Sequence, residues 1–584
     1  MLNSCKVRLA NRAVLVISLV CLWNCPTLAI VQAADVVSYL PKHTLGYAVV
    51  KNIGEADQKI SKLASLFNPN LPSPLVLAKS ITGLSQGIDL AGDAAFAYRG
   101  NPAVPADPIP LVLLPIIDYE TFASGIGADT TGEICRVRLA EVDLLFARQG
   151  EFALVMNVEH RNMMRHVLAM QPEANLGSFT DWVANNDISI IVSRYGLAHI
   201  ARFGLSLETT AEEETFVEDD FDEIVINENL TQHDSWPLVE FARRNFRRVG
   251  IGLSLDDASN ARLRWKGELL SPLQNIEESD ISPQQRLVGY RARAYAMAGG
   301  GELPARAGEM LAEFMTSLSV HDAQQQGRAE FTREDWADER KSWDLALADI
   351  REVSLLMVPP AEGEPLLSTF FARLTVEDSA EYLASLKQSY ELANDLTERS
   401  TSEIKMLYDL DPAAIGDVEG LSIKSDLDKA TGDQNVEIWQ AMLTACLGSE
   451  HTLAIHCSPV DKEHVFIGLQ SKDKLLEFIE GFTEGKTGLA TEATVQKTLD
   501  LIAPEVPYVQ LVNPQGLVDV TSSWMKTLLV LGMTPQLPLY PSAPPIALTL
   551  ASDQLGWQGE VVFPEESVKG LAGFVAELKK IFGQ

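Results

Sequence analysis

The chain has 584 residues, with 80 Asp and Glu against 47 Lys and Arg, a formal net charge of −33. Hydrophobic residues make up 46% and charged residues 22%, which excludes a disordered, collagenous or multi-span membrane protein and leaves enough chain for several buried cores. The acidic balance counts against nucleic acid and against electrostatic docking on anionic lipid, since both depend on clustered Lys and Arg.

The N-terminus reads as an export signal. Lys6, Arg8 and Arg12 form a basic region, Ala13 to Trp23 is uncharged and mostly apolar, and Val31-Gln32-Ala33 presents residues suited to cleavage before Ala34. Residues 1–33 hold three bases and no acid, so processing takes the charge to −36, with 44 bases against 80 acids. An uncleaved anchor is the alternative, because Ala13 to Ala34 carries no charge. Pro26, Asn24 and Thr27 weaken such a helix, and no stable transmembrane anchor is expected after cleavage. Neither Cys21, after Val20, nor Cys25, after Asn24, follows the small residue a lipoprotein signal needs. Three cysteines remain beyond the signal: Cys135, Cys446 and Cys457. An odd number makes no disulfide framework; Cys446 and Cys457 are either bridged or two buried thiols.

Past the signal, short apolar runs alternate with amphipathic stretches. Leu45 to Val50 reads as a strand and Gln58 to Phe67 as a helix with Ile60, Leu63 and Leu66 on one face. Ala94 to Tyr98 and Pro110 to Ile117 are strands, the second leading through Asp118 into a helix around Phe122. Val142 to Phe146 and Phe152 to Val158 form a hairpin about Gln149-Gly150, followed by a helix from His160 to Leu168 and a strand from Ile188 to Val192. Hairpins mixed with helices predict an α+β fold with mainly antiparallel sheets packed by helices.

The second half repeats this order. Ala153 to Leu168 matches Val465 to Glu480, and Ile188 to Leu197 matches Tyr508 to Leu517. Leu253-Ser-Leu255 with Trp265-Lys-Gly-Glu268 matches Leu548-Thr-Leu550 with Trp557-Gln-Gly-Glu560. Tyr47 to Val50 pairs with Tyr295 to Ala298, and Pro110 to Phe122 with Phe370 to Leu383. The offset falls from 320 between Gly196 and Gly516 to 292 between Trp265 and Trp557, and the difference of 28 equals the length of Leu207 to Asp234. That segment holds eleven acids and no Lys or Arg, so it reads as an exposed acidic insertion in the first half only. The expected organisation is a signal peptide over 1–33 and two similar modules, 34–285 (with the insertion at 207–234) and 286–584.

These residues also carry a resemblance. Leu40-Pro41 with Thr44 to Tyr47, the Gly87 to Ala95 run, and Asp473 to Val520, with Gly488-Leu489-Ala490, Pro504 and Pro507, resemble a domain-of-unknown-function family of exported, planctomycete-type bacterial proteins. The resemblance implies an envelope or secreted location and assigns no activity and no catalytic residue.

The motifs that could carry chemistry fail on context. Gly83-Leu-Ser85-Gln-Gly87 spells a nucleophile elbow, but helical spacing precedes it where a strand is required. Gly481 to Thr487 falls one residue short of a phosphate loop and follows a helix. Ala298-Gly-Gly-Gly301 reads as a flexible turn leading into a helix. Cys457 and His464 would face each other across a hairpin turning at Pro459 to Lys462, with His456 on the opposite side, yet two ligands are too few for a metal site. The Glu212 to Glu223 run lacks the alternating oxygen ligands and central Gly of a calcium loop. Trp265 and Trp557 read as matched core anchors, with ligand stacking as the alternative. No catalytic, cofactor-binding or metal residue is assigned. The expected function is that of an exported, non-catalytic envelope-associated or secreted protein, periplasmic or extracellular, which binds or scaffolds an unknown envelope or extracellular partner. The alternatives are an exported hydrolase with dispersed catalytic residues and a carrier of an apolar ligand.

Overall fold

A computed structural model describes residues 36–582, apart from 42–43, 83–85, 102–103, 130–131, 140–141, 172–176, 204–236, 274–280, 291–293, 326–331, 400–405, 428–435, 486–487 and 529–536. The export signal, Ser85, Lys486, Thr487 and the acidic segment Leu207 to Asp234 lie outside the described residues. The rest forms two compact units, Met1–Ser271 and Pro272–Gln584. The division falls before the expected 285/286, because Leu273 donates to the Gln554 carbonyl and Leu287 and Tyr290 belong to the second unit's core.

In the first unit the strands are β1 (Thr44–Val50), β2 (Ala94–Arg99), β3 (Ile109–Pro115), β4 (Ile134–Leu139), β5 (Val142–Gln149), β6 (Phe152–Asn157), β7 (Ile188–Ser193), β8 (Phe246–Leu255) and β9 (Ala261–Leu269). They pair antiparallel in the order β4-β5-β6-β3-β2-β1-β7-β8-β9. The continuous apolar runs of β3 and β6 are buried along their whole length, as central strands covered on both faces require. The helices are α1 (Ile53–Phe67), α2 (Pro74–Thr82), α3 (Tyr119–Gly125), α4 (Arg161–Leu168), α5 (Thr180–Ala184), α6 (Arg194–Phe203) and α7 (Pro237–Asn245). Met164, Val167 and Trp182 of α4 and α5 pack on one face with Val49, Leu111 and Met156. Ile53, Ile60, Leu75 and Phe122 of α1 to α3 pack on the other with Val112, Phe146 and Val155. Side-chain caps fix where two helices start: Asn52 accepts from the Glu55 N–H, and Asp118 from the Thr121 N–H.

The second unit contains β10 (Met297–Glu302), β11 (Glu352–Met357), β12 (Phe370–Thr375), β13 (Asp409–Ile415), β14 (Val418–Asp426), β15 (Thr452–Pro459), β16 (His464–Leu469), β17 (Tyr508–Val512), β18 (Ile546–Asp553) and β19 (Gly556–Phe563). Their antiparallel order is β13-β14-β15-β16-β12-β11-β10-β17-β18-β19. Without β13, this order follows the first unit strand for strand. Its helices are α8 (Pro283–Arg286), α9 (Ala307–Gln325), α10 (Arg333–Leu347), α11 (Ser379–Arg399), α12 (Val436–Leu447), α13 (Lys472–Thr483), α14 (Ala493–Leu499), α15 (Pro514–Leu528) and α16 (Glu565–Phe582). The fold is α+β with antiparallel sheets.

One matched glycine pair has the same physical cause in both units. A Cβ on Gly196, in α6, would lie 1.9 Å from the Leu45 carbonyl oxygen, and one on Gly516, in α15, would lie 1.9 Å from that of Tyr295. Each helix crosses the chain at or just before the start of β1 or β10 too closely for any side chain. With that pair as anchor, the register corrects three of the expected matches. Tyr47 to Val50 stand opposite β7 as Ala298 to Gly301 stand opposite β17, so Tyr295 to Ala298 is three residues out. Leu253 answers to Leu550 rather than Leu548. Trp265, opposite Ile251, answers to Val561, opposite Leu548; Trp557 lies four residues away.

A further correction concerns Ala298 to Gly301, which form no turn. They run through the middle of β10, paired to β11 on one side and β17 on the other, and all four are buried. Gly299, Gly300 and Gly301 have φ of +127°, +155° and +149°. The Val509, Val353 and Pro507 carbonyl oxygens lie within 2.1 to 2.3 Å of where their Cβ atoms would be. Backbone from both neighbours fills the space that side chains would need.

Candidate functional site

The motifs singled out from sequence do not assemble into one centre. Gly87 (φ +77°) follows the end of α2 and not a strand, the reverse of a nucleophile elbow. Gly485 (φ +60°) follows the C-terminus of α13, so no helix N-terminus is offered to a phosphate. Cys457 and His464 do not face each other: Cys457 stands opposite Ile467, and the hairpin closes with the Val460 N–H donating to the His464 carbonyl. His464 Nδ1 instead lies 2.8 Å from the Asp461 carboxylate at the rim. Cys457 is fully buried beside Leu421, Ile423 and Val465, and burial pushes its thiol up to about 12. Cys135, Cys446 and Cys457 are free thiols, so Cys446 and Cys457 are not bridged; of the two only Cys457 is buried, and Cys446 is half-buried. Among the described residues no group of three or more His, Cys, Asp or Glu converges as metal ligands.

Two polar clusters escaped the sequence. Ser422 Oγ lies 3.1 Å from His456 Nδ1, on β14 and β15, in the arrangement of a nucleophile and its base. Both are buried within the second unit, which gives a substrate no approach. Burial, with the nearby Lys472 and Lys424 charges, lowers the His456 pKa to about 4, so the imidazole is neutral. The second cluster is ionic. Arg286 reaches Glu302 at 2.5 Å and Glu352 at 3.2 Å, and Arg373 lies over the Phe482 ring at 4.7 Å. The buried Tyr290 hydroxyl donates to the Gly299 carbonyl, lying against the strand of glycines. These groups tie β10, β11 and β12 together.

A polar recess of about 280 Å³ is lined by Lys51, Asn52, Lys59, Asn185, Asp187 and Ser254, among others. Its cations are already engaged: Lys51 Nζ donates to the Ala184 carbonyl, and Lys59 lies 2.7 Å from Glu55 and 2.9 Å from Asp187. Burial acts to lower the Lys59 pKa, but these two carboxylates outweigh it and raise the pKa overall.

The more distinctive surface is a sheet face. Directly paired residues of antiparallel strands project to the same side. One row therefore runs Phe96, Ala48, Ile190, Ile251, Trp265 across β2, β1, β7, β8 and β9. The adjacent row runs Ala94, Val50, Ile188, Leu253, Leu263. Both rows carry no charge. Their β2 end is covered by α1 to α3, but Ile190, Ile251 and Leu263 remain 49%, 51% and 44% exposed. Gln510 of the second unit, which holds the place of Ile190, is 1% exposed. Trp265 belongs to this open apolar face rather than to a core. The signal for it was legible as β-branched residues at every second position on both strands, but exposure is a tertiary property. Among the described residues no helix is long and apolar enough to cross a membrane. The chain matches no protein-family model, no curated protein and no solved structure.

Proposed function

We propose that this chain is an exported, non-catalytic binding or scaffolding protein of the cell envelope, processed before Ala34, with two units that are copies of one module. The matched strand orders and the paired Gly196 and Gly516 support the duplication. The basic region and apolar core of residues 6–23 support export to the periplasm or beyond, and the resemblance to exported planctomycete-type proteins points the same way. The observation that carries the binding role is the uncharged face around Ile190, Ile251 and Leu263, since contiguous exposed apolar surface marks interaction sites. The partner is an apolar protein surface of the envelope or its exterior.

The test places a photo-cross-linking residue at Ile251 in the native host. A discrete adduct is expected, and the Ile190→Lys, Leu263→Lys background should abolish it while the thermal midpoint stays within 2–3 °C, on the order expected for exposed sites. N-terminal sequencing of the chain from the envelope fraction should begin at Ala34. Labelling of Ser422 or any other serine by a fluorophosphonate probe would overturn the non-catalytic reading and favour the hydrolase.

A further inference from the structure

The connection between α1 and α2 has properties that the sheet face does not share. Residues 67 to 72 are all exposed, and among the apolar side chains Phe67, Leu71, Val76 and Leu77 are 40%, 51%, 54% and 41% exposed. The base of this helical hairpin is held firmly: Ile53, Ile60 and Leu75 pack on the core. The nearly buried Asp57 carboxylate also accepts from the Leu75 N–H at 3.3 Å, tying the start of α2 to α1. The apolar tip is therefore presented by an anchored element.

Most of its N–H groups are bonded locally. The N–H groups of Asn68 and Leu71 donate to the Ala64 and Asn68 carbonyls, and that of Asn70 to the Asn68 side chain. Leu77 and Val76 donate to the carbonyl and hydroxyl of Ser73. Pro69, Pro72 and Pro74 have no N–H to satisfy. A segment can leave water for a lipid environment cheaply only when its amides are already bonded within itself.

The charge pattern agrees. A chain with 80 acids in 584 residues averages one in about seven, yet no acid falls between Asp57 and Asp89, while Lys59, Lys62 and Lys79 do. Lys59 is paired with Glu55 and Asp187, and Lys62 donates to the Asp257 carbonyl, so the feature that matters at the tip is the lack of carboxylates. Elsewhere the net charge of −33 repels an anionic surface; here that repulsion is at its weakest. Four side chains on a convex turn are also too few for a stable protein interface, which covers about 800 Å² on each partner.

We propose that the α1–α2 tip is a lipid-contact device, with Phe67, Leu71, Val76 and Leu77 entering the boundary between headgroups and acyl chains of a lipid bilayer. The contact is peripheral and reversible and adds no spanning segment. It is independent of the sheet face, so the two readings succeed or fail separately.

The test is co-sedimentation of the exported chain with phosphatidylglycerol–phosphatidylcholine vesicles and with vesicles of phosphatidylcholine alone. Binding is expected to both, no stronger with the anionic lipid, and Leu71→Asp, Val76→Asp should weaken it at least tenfold without moving the thermal midpoint, as both side chains are more than half exposed. Leu263→Asp, on the sheet face, should leave it unchanged. Equal binding by the tip variant, or none by the parent chain, would overturn the proposal. So would a dimer of the parent chain in sedimentation velocity that the tip variant abolishes, which would assign the tip to a second copy.

Discussion

A single methyl group added to Gly300 tests the reading of β10 as a strand whose side-chain space is occupied by its neighbours' backbone. The Cβ of an alanine there would lie 2.1 Å from the Val353 carbonyl oxygen and 2.4 Å from the Ser354 Cα. Neither atom belongs to a side chain that could rotate away. To relieve the contact, β11 must separate from β10 by more than an ångström at the centre of a ladder of six paired positions. The φ of +155° adds a second cost for any residue with a Cβ. Backbone strain contributes about 1–3 kcal/mol and overpacking a similar amount, so Gly300→Ala should lose about 4 kcal/mol. That is a large part of the 5–15 kcal/mol typical of a folded domain, roughly. Gly363→Ala is the control. Gly363 also has a positive φ, +81°, but its Cβ would meet nothing within 4 Å, so only the backbone term of about 1 kcal/mol applies. Urea unfolding of the chain, followed by tryptophan fluorescence, should show a far larger fall in midpoint for Gly300→Ala. Equal shifts in the two variants would refute the argument, and with it the claim that backbone rather than conformational freedom selects glycine here.

Other measurements follow from the same geometry. His456 titrates near 4 when folded and near 6.5 when unfolded, so the stability it secures is complete above pH 6.5 and is lost as pH falls from 6.5 to about 4. That loss is about 3 kcal/mol, and His456→Asn should remove this part of the pH dependence of urea midpoints between pH 7 and pH 4. Gly196→Ala and Gly516→Ala, each driving a Cβ into a carbonyl at 1.9 Å, should destabilise their own units to similar extents, about 3 kcal/mol or more, in hydrogen exchange of β1 and β10. Thiol labelling of the native chain should reach the half-buried Cys446 before Cys135 or Cys457, and all three should react at one rate in urea.

What the sequence disclosed about the fold followed from periodicity. The hairpin about Gly150, the helix after Asp118, and the strands at 94–98, 110–117 and 188–192 rest on short apolar runs, turn residues or caps, and the structure places each of them. Register was harder. A slip by an even number of residues keeps every side chain on the same face, so periodicity cannot detect it. Matching Trp265 to Trp557 was such a slip, of four residues, and matching Leu253 to Leu548 one of two. The error at Tyr47 had another source: Gly299 to Gly301 carry no strand signal, so the match moved to the nearest tyrosine. Buried polar groups such as Ser422 with His456 are brought together by strand pairing across 34 positions, and no local pattern announces them.

The two units show how one strand order can serve different ends. At the position of Ile190 the second unit has Gln510, and at that of Ala48 it has Gly299. Gln510 is buried and the Tyr508 hydroxyl reaches its side-chain oxygen at 3.4 Å, so this part of the second sheet is closed and partly polar. The first unit keeps Ile190 and Ile251 at the same level, apolar and half exposed. A sheet face exposed to water through evolution would gain solubility from alternating polar residues, at little cost to the core on its other side. Two rows without a single charge, in a chain with one acid in about seven residues, are what the proposed binding role rests on. The unit with the glycine strand closes the equivalent face internally; the unit with Ile190 and Ile251 leaves it open. Exchanging Ile251 for Thr would separate the two requirements, since a β-branched polar residue preserves the strand while removing the apolar contact. With the photo-cross-linking residue moved to the neighbouring Ile190, the variant should fold with an unchanged midpoint and lose the adduct.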